Sequence, residues 1–130
     1  GRFHSLVDRL IETLLVAGDR LYLFGFSFDG VWAWMLGLEE PSRYAGVIAL
    51  SAVSYPEPIR GRIGRARDLP VCVLRGALDP MFPDRLEQER ATGADLMRKS
   101  PRSLWRLLPG TTHAGVWAHA DECVRAVVRP

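Results

Sequence analysis

Leu21-Tyr22-Leu23-Phe24-Gly25-Phe26-Ser27-Phe28-Asp29-Gly30-Val31 runs from an apolar stretch, through a serine flanked by glycines, into a second apolar stretch. Leu21 to Phe24 is apolar throughout, which suits a parallel strand buried on both faces. Val31 to Leu38, with Trp32, Trp34 and Met35 among its members, reads as a buried helix. Glu39, Glu40 and Pro41 stop it. A strand, a glycine-bearing turn and a helix in that order make the first half of a βα unit, with Ser27 at the turn.

Working outward, the pattern repeats. On the N-terminal side Phe3, Leu6, Val7, Leu10, Ile11, Leu14 and Leu15 recur at helical spacing and predict a helix over 3–16. His4, Asp8, Arg9 and Glu12 fall on its other side, and Gly18 is placed to cap it in a left-handed turn. On the C-terminal side Val47 to Leu50 predicts a second buried strand. Residues 52–70 hold Pro56, Pro58, Pro70 and two glycines and read as an irregular excursion. Val71 to Leu74 predicts a third buried strand, Gly76 to Pro83 a loop, and Asp84 to Arg98 a surface helix. Ser103 to Leu108 reads as a fourth, more peripheral strand, Pro109 to Thr112 as a loop, and Trp117 to Val128 as a final amphipathic helix. The expectation is an α/β fold: a mainly parallel sheet of about four strands with flanking helices. Ligands and chemistry in such sheets belong at the carboxyl ends of the strands.

Bulk properties agree with one domain. A chain of 130 residues buries roughly 68–70% of its unfolded surface. Hydrophobic residues at 48% and charged residues at 25% argue against disorder. A net charge of +2 is too small to point to nucleic acid or an acidic membrane surface. No stretch reaches the ~18 apolar residues of a membrane span. No signal peptide is visible, although the chain starts at Gly1 rather than at a methionine, and the expected location is cytoplasmic. Cys72 and Cys123 show no metal spacing and no CxxC motif, so they read as two buried free thiols. Arg60, Arg62, Arg65 and Arg67 read as a solvated loop, because no aromatic interleaving accompanies them. Trp32 and Trp34 read as core.

Three predicted strand-end loops each carry one reactive residue: Ser27, Asp79 and His113. Parallel strands put these loops on one edge of the sheet. A serine hydroxyl is a poor nucleophile near neutral pH and needs a base. A histidine can take its proton, and a carboxylate fixes the imidazole tautomer and stabilises the imidazolium. Singly, each residue has a plainer reading: an incidental serine in a βα turn, an Asp-Pro turn residue, a solvated loop histidine. Together they are far more specific. His4 and His119, on predicted helices, keep the plain reading of solvated residues.

These residues resemble the phospholipase/carboxylesterase and dienelactone-hydrolase-like branch of the α/β-hydrolases. Leu21 to Ser27 resembles its elbow strand, and Val71-Cys72-Val73-Leu74-Arg75-Gly76-Ala77-Leu78-Asp79-Pro80 its strand followed by G-x-x-D and a proline. Gly110-Thr111-Thr112-His113 resembles its histidine loop, and Arg43 to Val47 its approach to the strand after the elbow helix. The order Ser, Asp, His is that of the α/β-hydrolases. The resemblance covers essentially the whole chain. It implies that Ser27 is the nucleophile, His113 the general base and then acid, and Asp79 the orienting carboxylate. It implies an acyl-enzyme on a carboxylic ester or thioester, a small-molecule ester or acyl substrate, and no metal or organic cofactor. The Phe28 N–H would be one oxyanion donor. Trp117, four residues after His113, could line an acyl pocket or simply pack.

Two departures shape the alternatives. Asp29 stands where the G-x-S-x-G pattern has glycine, and is expected to crowd the elbow, with Gly30 relieving part of the strain. The family's N-terminal strands and the loop with the second oxyanion N–H are expected to be absent, making residues 1–130 a partial α/β-hydrolase domain. The elbow strand would then have an unpaired outer edge through which copies associate. A catalytically inactive fragment or binding module is therefore one alternative, and a peptidase or C–C hydrolase on the same scaffold is another.

Overall fold

Gly46–Leu50 and Val71–Leu74 carry no polar side chain, so both of their faces must be covered by other elements. They take the centre of a four-stranded parallel sheet in the order β1-β2-β3-β4. The strands are β1 (Tyr22–Phe26), β2 (Gly46–Leu50), β3 (Val71–Gly76) and β4 (Leu104–Leu108). The computed structural model describes residues 2–14 and 21–128. Gly18, expected to cap the first helix, lies outside the described residues.

Parallel neighbours need long crossovers. Helix α1 (Arg2–Leu14) precedes the sheet, and α2 (Phe28–Glu39) joins β1 to β2. The excursion between β2 and β3 is less irregular than expected. It holds a short helix α3 (Glu57–Arg60), with Pro56 at its N-cap and Pro58 in its first turn, where a missing N–H costs nothing. A 3₁₀ segment follows (Ile63–Asp68). Ile63, Ala66 and Leu69 are buried at three-residue spacing, which leaves Arg60, Arg62, Arg65 and Arg67 exposed. Helix α4 (Leu86–Lys99) joins β3 to β4, and α5 (Ala120–Val127) closes the chain after a 3₁₀ turn, Gly115–His119.

Strand alternation divides the core in two. Val47, Ala49, Val71 and Val73 face Trp34 and Leu38 of α2 and Leu96 of α4. Ile48, Leu50, Cys72 and Leu74 face Val116, Cys123 and Val127 on the opposite side. Each fully buried Val, Ile or Leu contributes about 1.5–3 kcal/mol, so these two layers hold the strand ends in place.

Several expectations are corrected. Cys72 and Cys123 are not free thiols: they form a disulfide, with Cα atoms 5.3 Å apart, tying β3 to α5. β1 is not buried on both faces. Phe24 is 49% exposed, while the outer edge of β1 has, as expected, no neighbouring strand among the described residues. Trp34 is core, whereas Trp32, two positions along the same helix, points outward. Among the described side chains of α1, His4 is buried and Val7 packs partly against the core, whereas Phe3 and Leu6 are exposed. His4 is tolerated inside because its Nδ1 meets the Tyr44 hydroxyl. Burial pushes the Tyr44 phenol up to about 12, so the hydroxyl keeps its proton.

Candidate active site

The strand registers set the site. Phe26, Leu50 and Leu74 lie abreast, as do Gly76 and Leu108, so the loops after all four strands leave from one edge. Ser27 sits directly after β1 with φ 61° and ψ −125°. A residue other than glycine held there costs on the order of 1–3 kcal/mol and persists only where its surroundings fix it. Here its N–H donates to the Leu50 carbonyl at 2.8 Å, and its own carbonyl accepts from Gly30 at 3.0 Å and Val31 at 3.2 Å.

Close approach of strand and helix makes this turn sharp. A Cβ on Gly25 would lie 2.1 Å from the Asp29 carbonyl oxygen. Asp29 does not crowd the elbow, contrary to expectation: it is exposed at the start of α2. The buried position on that side is Gly30, whose Cβ would come 3.1 Å from the Gly25 oxygen and 3.3 Å from the Leu50 oxygen. The small residue needed after the serine is thus three positions on, rather than two.

His113 reaches the serine from the loop after β4. Its Nε2 lies 3.0 Å from Ser27 Oγ, and its Nδ1 meets Asp79 Oδ2. Asp79, with its side chain fully buried, also accepts the Met81 N–H on Oδ1 at 2.9 Å. Both carboxylate oxygens act as acceptors, so Nδ1 carries the imidazole proton and Nε2 is left to accept from the serine hydroxyl. The three side chains expected to act together, from loops after three different strands, form one hydrogen-bonded row.

The row is held from behind. Gly76, at the end of β3, lies so close to the histidine loop that a Cβ would sit 2.2 Å from the Thr111 oxygen. Ala77 and Leu78 donate to Leu108 and Thr111, both at 2.9 Å. Ser51, immediately after β2 and also at positive φ (53°), donates its hydroxyl to the His113 carbonyl at 2.6 Å. Sequence reasoning missed Ser51. Its only signal is its place, one residue past a buried strand on the same edge.

Phe28 begins α2, and the first N–H groups of a helix have no intrahelical acceptor. Ser27 makes no side-chain cap to them, because its hydroxyl is turned to His113. Trp117 is 48% exposed and stands over Phe24 and Phe26, each ring 5.4 Å away. Phe26 in turn lies 5.1 Å from the His113 ring. An aromatic wall therefore runs from the imidazole out to solvent.

A second buried polar group escaped the sequence reading. Arg75 and Glu89 are both buried and paired, Nε to Oε2 at 2.7 Å. Burial pushes the Glu89 carboxyl up to about 7, against the opposing pull of Arg75.

Comparison with known proteins gives a consistent picture. The family model described as phospholipase/carboxylesterase matches residues 1–114. An acyl-protein thioesterase 1 of Gibberella zeae is 27% identical over 132 residues, covering 98% of this chain and 54% of that protein. Among solved structures, a thermostable esterase aligns with a TM-score of 0.77 at 20% identity, over 97% of this chain and 34% of that one. An S-formylglutathione hydrolase of Staphylococcus aureus aligns with a TM-score of 0.70 at 12% identity, over 98% of this chain and 59% of that one. The structural likenesses carry the fold. The chain spans about half the length of the curated relative it matches.

Proposed function

Because the chain belongs to the phospholipase/carboxylesterase family, we propose that it bears the catalytic row of a serine hydrolase that cleaves a carboxylic ester or thioester through an acyl-enzyme. The observation carrying this reading is the Asp79–His113–Ser27 row with Ser27 held at strained backbone angles. Ser27 Oγ attacks the acyl carbonyl while His113 Nε2 takes its proton. The Phe28 N–H meets the oxyanion, as befits the residue after the nucleophile. His113 then passes the proton to the departing alkoxide or thiolate, leaving the acyl group on Ser27. Water, deprotonated by His113, attacks that ester and frees the carboxylic acid. Asp79 holds the Nδ1 proton throughout. Trp117, with Phe24 and Phe26, would contact the apolar part of a small acyl or ester substrate. The scheme uses no metal or organic cofactor.

Residues 1–130 form one part of a hydrolase domain in this reading. The outer edge of β1 has no neighbouring strand among the described residues, and association of two copies through it is proposed only for residues 1–130 taken alone. Among the described residues no helix is long and apolar enough to cross a membrane. A cytoplasmic location would keep Cys72 and Cys123 mostly reduced, so thiol counting after rapid alkylation tests the compartment.

Hydrolysis of a short-chain aryl ester, a thioester and the matching amide, with the protein and its Ser27→Ala variant, tests the activity. Turnover of the ester and thioester that vanishes in the variant is expected. Faster amide cleavage would favour a peptidase. The alternative expected from the sequence, a non-catalytic module, predicts no such turnover. Ester turnover dependent on Ser27 eliminates it.

A further inference from the structure

Arg75 and Glu89 are buried charges that touch none of the reacting atoms. Burying an ion pair seldom adds net stability, because desolvation offsets the attraction. What this pair contacts is more telling than its attraction. The Arg75 guanidinium donates in three directions: Nε to Glu89 Oε2 at 2.7 Å, and its two terminal nitrogens to the Gly76 and Met81 carbonyls, both at 3.0 Å. Gly76 and Met81 bound the stretch that carries Asp79. Asp79 is itself fixed by the same two residues. Its N–H donates to the Gly76 carbonyl at 3.1 Å, and its Oδ1 accepts from the Met81 N–H at 2.9 Å. One rigid plane therefore grips both ends of the loop whose middle residue orients the imidazole.

We propose that the Arg75–Glu89 pair is a positioning device for Asp79, with Glu89 orienting the guanidinium and the guanidinium clamping the 76–81 loop. The proposal rests on the triad reading given above. Lysine cannot replace Arg75 here, because an ammonium lacks the planar fork that spans two carbonyls and a carboxylate. Glu89 is held by one oxygen alone: Oε1 is buried with no hydrogen-bond partner, so the carboxylate is under-solvated. The charged and titratable groups acting on it are Arg75 from β3, Asp79 from the loop, Arg85 from the turn before α4, and Tyr55 after β2.

The test uses Arg75→Lys, Glu89→Gln and the joint Arg75→Met/Glu89→Leu variant, which strands no buried charge. Ester turnover gives kcat and KM separately across pH, and the low-field proton resonance of His113 Nδ1–H reports on the Asp79 hydrogen bond without any turnover. The joint variant and Arg75→Lys should lose about 10–100-fold in kcat with KM within about twofold, the scale of an ångström misplacement. Their Nδ1–H resonance should broaden or vanish. Glu89→Gln, which keeps an oxygen to accept from Arg75 Nε, should keep most of kcat and leave the acid limb of the profile in place, because the Glu89 carboxyl is already protonated below about pH 7. The proposal is overturned if Arg75→Lys keeps kcat within twofold, or if activity falls only in step with stability while the Nδ1–H resonance is unchanged. If the joint variant does not fold, the two single variants decide. If the parent protein turns over no ester, the triad reading fails. The resonance then decides the positioning role alone: loss in the variants supports it and persistence refutes it.

Discussion

Replacing Gly25 by alanine should disable the elbow without altering any polar group. The added Cβ would sit 2.1 Å from the Asp29 carbonyl oxygen, 2.3 Å from its carbon and 2.6 Å from the Gly30 nitrogen. Non-bonded heavy atoms rest about 3.5–4.0 Å apart, so something must move by about 1 Å or more. All three obstacles are backbone of the first turn of α2, which cannot rotate aside as a side chain would. Overpacking costs about 1–3 kcal/mol where neighbours can relax, so a loss near the top, about 3 kcal/mol, is expected. That is a roughly 150-fold change in the folding constant, and about 10 °C in Tm for a chain of this size. Gly64→Ala is the matched control, because a Cβ there meets nothing within 4 Å. It should be neutral or stabilise by up to about 1 kcal/mol through the unfolded chain. Urea denaturation followed by far-ultraviolet circular dichroism compares the two. If Gly25→Ala unfolds within about 0.5 kcal/mol of Gly64→Ala, the sharp strand-to-helix turn described here is wrong.

Three further outcomes are expected. Breaking the Cys72–Cys123 bridge, which spans 51 positions, should lower stability by about 4 kcal/mol on the chain-entropy model, read by denaturation with and without reductant. Glu89, with its folded value raised to about 7 from 4.5, binds its proton more tightly when folded. Stability should therefore fall as pH rises from about 4.5 to about 7, by at most ~1.4 kcal/mol per pH unit from this group, and Glu89→Gln should flatten that slope. Ser51→Ala removes the hydroxyl that holds the His113 carbonyl, and should cost about 1 kcal/mol of stability and lower kcat more than it raises KM.

The legible parts of this protein were those fixed locally. β2 and the Val71–Leu74 part of β3 announce themselves because every residue is apolar, which only a central strand requires. The reactive loops could be grouped because a parallel sheet puts all strand ends on one edge, so chain order stands in for space. What failed depended on distant partners. Leu21 to Phe24 looks buried on both faces, yet what covers each face of a strand is decided elsewhere in the fold. His4 looks solvated until Tyr44, forty positions away, is folded against it. Cys72 and Cys123 sit in ordinary strand and helix patterns, and only the alternation of β3 aims one at the other. Arg75 passes unremarked, and Glu89 falls in what reads as a surface helix, because their pairing closes across a loop. Asp29 seemed to spoil the elbow because the pattern fixes which position is small, whereas the backbone asks only that the buried position be small. Gly30 meets that need.

The central claim is that Ser27 is a nucleophile activated by His113. A fluorophosphonate probe, followed by peptide mass mapping, measures this most directly. A single adduct on Ser27 is predicted, absent in Ser27→Ala and slowed by orders of magnitude in His113→Ala. A folded protein that stays unmodified, or carries its adduct on another residue, would contradict it.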